Sequence, residues 1–135
     1  MKLLIDANIL LDVLQNREPF VGASSVIWKL CETEKAVGYA AVLTFANLVY
    51  VMRKQLDLGK ISEVLRQLSL IFSLVELTPV DLAHAAELQW DDFEDAVQSV
   101  TAEKVCADYI ITRNIRDFAK SKVTAVTPSE LLARI

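Results

Sequence analysis

Short unbroken apolar runs alternate along this chain with longer stretches in which apolar residues return every three or four positions. Leu3-Leu4-Ile5 is the first run, and its continuity predicts a buried strand over Leu3–Asp6. A short helix is expected over Ile9–Leu14, ended by the polar Gln15-Asn16-Arg17. Pro19 suits the first turn of the next helix, where Ala23, Val26, Ile27, Leu30 and Cys31 form an apolar stripe. Val37–Val42 reads as a second strand, with Thr44 as N-cap of a helix whose apolar face is Phe45, Leu48, Val49 and Met52. Leu58-Gly59 closes that unit, and Ile61, Val64, Leu65, Leu68 and Phe72 mark another amphipathic helix. Leu74–Leu77 is the third expected strand, and Thr78-Pro79 opens a helix to about Leu88. Beyond an acidic Asp91-Asp92 turn, Asp95–Val105 reads as helix, with Ala96, Val97 and Val100 facing inward. Asp108–Thr112 and Val123–Val126 are strands four and five, and Pro128–Arg134 is a closing helix.

Strands separated by helices need crossover connections, so the sheet is expected to be mainly parallel. The predicted class is α/β: a single three-layer domain over residues 1–135, its central sheet of about five strands flanked by helices. A length of 135 residues suffices for one buried core. An apolar content of 53% against 24% charged residues excludes a disordered chain. The net charge of −4 has the wrong sign for a broad basic face on nucleic acid, so any phosphate must be held locally, by a metal and a few cations. Cys31 and Cys106 are isolated and read as core cysteines of a reducing compartment. Asp6, Asn8 and Asp12 interrupt the apolar start too early for a targeting segment. Ser69, Ser73 and Glu76 break the run from Leu68 to Leu77, so no membrane span is expected. The expectation is a soluble, cytoplasmic protein.

Three acidic stretches change this picture from fold to chemistry. Asp6 ends the first strand; Asp92-Phe93-Glu94-Asp95 leads into a helix; Asn114-Ile115-Arg116-Asp117 follows the fourth strand. In parallel α/β sheets, functional groups collect outside the carboxyl ends of the strands, where carboxylates distant in sequence can converge. Such a set, with no histidine or cysteine cluster, suits a hard divalent cation such as Mg²⁺ or Mn²⁺. Each acid also has a plainer reading. Asp6, Asp92 and Asp95 can serve helix N-termini, and Asn114 with Asp117 has nearly the spacing of a capping box. Asn8 is either a cap or an amide orienting Asp6, and Asn47 is either a site amide or a surface residue. Glu94 is expected to point into solvent. Arg113, Arg116, Arg53 and Lys54 are phosphate contacts or ordinary surface charge. His84, the sole histidine, is expected to be partly buried with a hydrogen-bond partner, which leaves no Ser-His-Asp or Cys-His mechanism. Trp28 and Trp90 read as core or interface residues.

Four segments, taken in order, resemble the PIN domain family: Leu-Ile-Asp-Ala-Asn-Ile-Leu-Leu-Asp-Val-Leu at 4–14, Thr-Phe-Ala-Asn-Leu-Val-Tyr-Val-Met-Arg-Lys at 44–54, Asp-Phe-Glu-Asp-Ala-Val at 92–97, and Thr-Arg-Asn-Ile-Arg-Asp-Phe at 112–118. The resemblance implies a metal-dependent nuclease fold, and many such proteins are ribonuclease toxins of VapBC-type toxin–antitoxin pairs. It carries the family's acidic quartet over only in part. Asp6 and Asp95 match the first and third acids, whereas the second falls on Asn47 and the fourth on Asn114, with Asp117 three residues later as a substitute. The sequence looks closest to a branch that tolerates these asparagines.

The function expected on this basis is Mg²⁺- or Mn²⁺-dependent hydrolysis of RNA phosphodiester bonds. Asp6, Asp95 and Asp117 are the expected catalytic residues, and Asp92 joins them as a metal ligand. Asn8, Asn47 and Asn114 supply supporting amides, and Arg113 and Arg116 meet substrate phosphate. A small antitoxin and a second copy of the chain are the expected partners, the latter across an exposed apolar face of Ile61–Phe72. The alternative is a PIN-like RNA-binding or regulatory module with weak or lost nuclease activity. A receiver-like signalling domain is disfavoured, because Leu74–Leu77 holds no phosphoacceptor aspartate.

Overall fold

The first strand, β1 (Lys2–Ile5), buries both of its faces, and the rest of the fold follows from that. In the computed structural model, which describes residues 1–135, Leu3 and Ile5 pack into one apolar cluster and Leu4 into another. The strand's two-residue period thus sends alternate side chains to opposite layers. The order along the chain is β1, α1 (Ala7–Leu14), α2 (Val21–Glu32), β2 (Val37–Ala41), α3 (Val42–Met52), α4 (Leu58–Ile71), β3 (Ser73–Val75), α5 (Pro79–Glu87), α6 (Phe93–Lys104), β4 (Tyr109–Ile111), a 3-10 turn (Ile115–Phe118), β5 (Ala125–Val126) and α7 (Pro128–Arg134). The five strands lie in the order β3-β2-β1-β4-β5, and every pairing is parallel.

The larger cluster joins Leu3, Ile5 and Ile111 to Ile9, Leu10, Ile27, Leu48, Leu68 and Leu131, so α1, α2, α3, α4 and α7 cover one face. On the other face Leu4 and Ile110 meet Ala102 of α6 and Phe118 of the 3-10 turn, while Ala85 of α5 packs on Ala96, Val97 and Val100 of α6. The three-layer α/β expectation is met. The chain leaves β1 toward the first layer through α1 and leaves β4 toward the second through the 3-10 turn. Neighbouring strands whose exits diverge in this way open a crevice at their carboxyl ends.

Several local expectations need correction. α3 begins at Val42 with Ala41 as its N-cap, and Thr44 is buried inside the first turn. Leu58-Gly59 opens α4, because the Asp57 carboxylate accepts the Lys60 N–H and caps it. All five strands are displaced or shorter: Asp6 and Val42 already belong to the starts of α1 and α3, and only Ser73–Val75, Tyr109–Ile111 and Ala125–Val126 form the last three strands. The apolar stripe of Ile61–Phe72 is not a free face: Ile61, Leu68 and Phe72 are buried in the core. Cys106 is exposed, whereas Cys31 is buried. His84 is exposed. Trp28 packs edge-on to Phe72 at 5.3 Å, and Trp90 to Phe118 at 6.3 Å, which keeps both within the apolar framework. No helix is long and apolar enough to cross a membrane.

Candidate functional site

Asp6 follows β1 directly. Its backbone N–H donates to Ile111 of β4, which fixes it at the mouth of the crevice. It is the N-cap residue of α1, yet its side chain makes no capping bond. Instead Oδ1 accepts from Gln98 Nε2 at 3.1 Å and Oδ2 from Thr112 Oγ1 at 2.8 Å. The capping alternative for Asp6 is thereby set aside. Two neutral donors thus hold this 9% exposed carboxylate in one direction.

The N-terminus of α6 brings the second acidic stretch to the same place. Asp92 is exposed and caps the helix by accepting the Asp95 N–H at 3.0 Å. Asp95 lies one turn in and half-buried. Burial, then the charges of Asp92, Asp117, Asp6 and Glu94, push its carboxyl up to about 7. The five carboxylates thus lie near enough for the other four to act on Asp95, with Asp92, Asp95 and Asp117 around one cavity and Gln98, one turn after Asp95, bonded to Asp6. Glu94 was expected in solvent and is not there. It is half-buried and accepts a hydrogen bond from Asn47 Nδ2 of α3. Burial and the nearby Asp92 raise its pKa, and the Asn47 bond opposes them.

After β4, Thr112 Oγ1 accepts the Asn114 N–H at 3.1 Å while donating to Asp6. The Asn114 side chain makes no capping bond, so the capping box with Asp117 does not form. Asp117 is exposed and, with Trp90, Asp92, Asp95, Arg116 and Lys120, lines a cavity of about 260 Å³. Asp6 and Glu94 are outside this lining, and the Asp6 charge bears on both Asp95 and Glu94.

Two expected site residues turn elsewhere. Asn8 Oδ1 accepts from Arg17 Nη1 at 3.3 Å, and no bond links Asn8 to Asp6. Arg113 lies 3.2 Å from the fully buried Asp12, and its guanidinium stacks on Phe20 at 4.0 Å. Asp12 also accepts from Ser24 Oγ at 2.9 Å. Arg113 thus neutralises a buried acid rather than standing free for phosphate, whereas Arg116 is exposed in the cavity wall. Arg53 and Lys54 lie near the Tyr50 ring, at 5.4 and 5.5 Å.

None of Asp6, Asp92, Glu94, Asp95 and Asp117 has an ion pair with a protein cation, although Asp12, Glu63, Asp81 and Glu103 each do. Gln98 Oε1 is buried without a donor. Flipping that amide would set its oxygen against Asp6 and is disfavoured. An uncompensated all-oxygen set with a spare buried acceptor fits a hard cation and its water. No three acids are disposed to grip one bare ion directly. The residues therefore fit a cation that keeps much of its hydration, as Mg²⁺ commonly does.

Sequence reasoning missed Glu94, Asp12, Gln98 and Thr112. For Asp12 a signal existed: a lone acid inside Ile9-Leu10-Leu11-Asp12-Val13-Leu14 requires a partner when the helix is buried all round.

A family model described as PIN domain matches residues 2–116. Among solved structures, the fold is similar to VapBC-1 from nontypeable Haemophilus influenzae, with 14% identity, TM-score 0.72, and 96% of this chain and 99% of that chain covered. It is similar to a toxin–antitoxin complex from Klebsiella pneumoniae at 20% identity and TM-score 0.70, covering 93% and 96%. It is also similar to Mycobacterium tuberculosis VapC20, described as a sarcin-ricin loop cleaving toxin, at 13% identity and TM-score 0.65, covering 80% and 86%. No curated protein sequence matches the chain. The family model spans β1, the α6 acids and the segment after β4 in one alignment, and the chain belongs to the PIN domain family.

Proposed function

We propose that this chain is a Mg²⁺- or Mn²⁺-dependent endoribonuclease acting as the toxin of a VapBC-type pair. The observation that carries the reading is five carboxylates at the crevice of a PIN fold with no protein cation paired to any of them. Asp6 and Asp95 would hold the cation, with Asp92 and Asp117 at the cavity wall. When bound, such a cation polarises the scissile phosphate, lowers the pKa of a water and stabilises the leaving oxygen. Thr112 and Gln98 keep Asp6 pointed at the crevice. Asp95, whose carboxyl is pushed up to about 7 without metal, would bind the cation in its ionised form, and the exposed Asp117 on the same wall would orient the attacking water. Asn114 stays beside them as an exposed amide. Arg116, on the same wall, meets a substrate phosphate.

The VapBC-1 and Klebsiella likenesses support a small antitoxin partner, and the VapC20 likeness supports RNA as substrate. We place the protein in the cytoplasm as a homodimer. Val80, Leu82 and Phe93, exposed at 62%, 41% and 50%, offer apolar surface in place of the buried α4 stripe.

The test is incubation of end-labelled RNA with purified protein, in Mg²⁺ or EDTA, for the wild type, Asp6→Asn and Asp95→Asn. Cleavage should vanish in EDTA and fall by about 100-fold or more in either variant. Cleavage indifferent to EDTA overturns the reading. The absence of three directly ligating acids favours one second reading, an RNA-binding module with lost cleavage. It predicts RNA bound but intact in Mg²⁺.

A further inference from the structure

We propose that Glu94 is a carboxylate of the cation site and that Asn47 is the residue that positions it. This rests on the cation-binding reading above. Glu94 is the second residue of α6 and Asn47 lies in the second turn of α3, and theirs is the only side-chain hydrogen bond between the two helices. A glutamate in the first turn of a helix has an easy alternative, to extend into water where the helix dipole already favours it. Glu94 instead turns inward, toward Asp6 and Asp95, and gives up hydration for a single neutral amide.

A neutral donor does not balance a carboxylate removed from water. It does fix one oxygen while leaving the charge intact and the second oxygen free. A lysine or arginine at 47 would have cancelled the charge, and a glutamate there would have set two carboxylates against each other. Amide at 47 and carboxylate at 94 therefore work as one unit that delivers a single negative charge to the crevice. Asn47 acts through Glu94, and Glu94 faces the cation.

The unit can be tested by exchange. Mn²⁺ binding to the intact chain is measured by isothermal titration calorimetry for the wild type, Glu94→Gln, Asn47→Ala and the double variant Asn47→Glu with Glu94→Gln, each checked for a cooperative melt. Asp6→Asn serves as the control for the site. The expected loss of affinity is about tenfold or more for Glu94→Gln and about threefold to tenfold for Asn47→Ala. The double variant reverses donor and acceptor and should return to within about threefold of wild type. Should Glu94→Gln fail to fold, Glu94→Asp keeps the charge but draws it back from Asn47, and intermediate weakening is expected. Wild-type affinity in Glu94→Gln, or in Glu94→Asp where that variant stands in, overturns the assignment if Asp6→Asn has lost binding, and leaves the cation site standing. If the wild type binds no Mn²⁺, or Asp6→Asn binds as well as wild type, the cation reading itself fails and this assignment falls with it.

Discussion

Asp95→Asn should stabilise the metal-free protein at pH 8 and remove its response to metal. The folded carboxyl is raised from 3.8 to about 7, first by burial and then by Asp92, Asp117, Asp6 and Glu94. A rise of that size corresponds to a ceiling of about 4 kcal/mol of unfavourable ionisation. Asp95 is only half-buried, and solvent screening reduces that to about 1–2 kcal/mol. The asparagine is nearly isosteric, and the bond from the residue-95 N–H to Asp92 survives because it is a backbone bond. Losing an acid from the first turn of α6 returns about 0.5 kcal/mol. The net gain is about 1 kcal/mol, or roughly 3–4 °C in Tm for a chain of this size. The folded pKa lies above the unfolded one, so the wild type has its full stability below pH 3.8 and loses it as pH rises through about 7. The advantage of the variant should therefore be small at pH 4.5, grow up to pH 7 and level off. Urea or thermal melts in EDTA at pH 4.5, 6 and 8 measure it, and a second series with Mn²⁺ should stabilise only the wild type. A variant no more stable than wild type at pH 8 in EDTA would show that the neighbouring carboxylates do not burden Asp95, and the convergence argument would fail.

Three further outcomes follow from the same geometry. Asp12→Ala leaves Arg113 without its buried partner and Ser24 without its acceptor; a loss of about 3–5 kcal/mol is expected in urea unfolding, and a loss under 1 kcal/mol contradicts the pair's structural role. Gly38→Ala places a Cβ 2.7 Å from Cys31 Sγ and 2.7 Å from Phe72 Cδ1 in a packed core, so it should cost about 1–3 kcal/mol in the same assay. Asn47→Glu alone sets a carboxylate against Glu94; it should lower the metal-free Tm yet tighten Mn²⁺ binding by about 1–2 kcal/mol, and unchanged values for both would remove position 47 from the site.

The sheet was legible because both faces of β1 and β4 are buried, so their strands read as unbroken apolar runs. Asp6 was legible for the same reason, as the first charge after such a run. Asp95 was legible through its place at the head of a helix. Glu94 was not, because helical periodicity assigns adjacent residues to diverging directions. At the first turn of α6 the helix end itself points into the crevice, and neighbours 94 and 95 both reach it. Gln98, Ser99 and Thr101 are polar residues of α6, yet all three are buried. Gln98 donates to Asp6, Ser99 shares a hydrogen bond with Ser121, and Thr101 donates to the Val97 carbonyl. Arg113 looked free because its partner, Asp12, stands 101 positions earlier and meets it only in the folded chain. Thr44 had the composition of a cap, but Val42 and Leu43 precede it in helical conformation, so the cap falls on Ala41. Local sequence carried the order of the elements but not all of their ends, whereas pairings between distant segments decide where each polar side chain points.

The most direct test of the central claim is anomalous diffraction at the manganese edge from crystals grown with Mn²⁺. The account predicts a peak in the crevice at the carboxyl ends of β1 and β4, within roughly 5 Å of both the Asp6 and Asp95 carboxylates, as expected for a cation holding part of its water shell. The same peak should be absent from crystals of Asp6→Asn. A wild-type crystal with no peak there at millimolar Mn²⁺, or with its peak on another face, would contradict the assignment of these carboxylates to a metal-dependent nuclease.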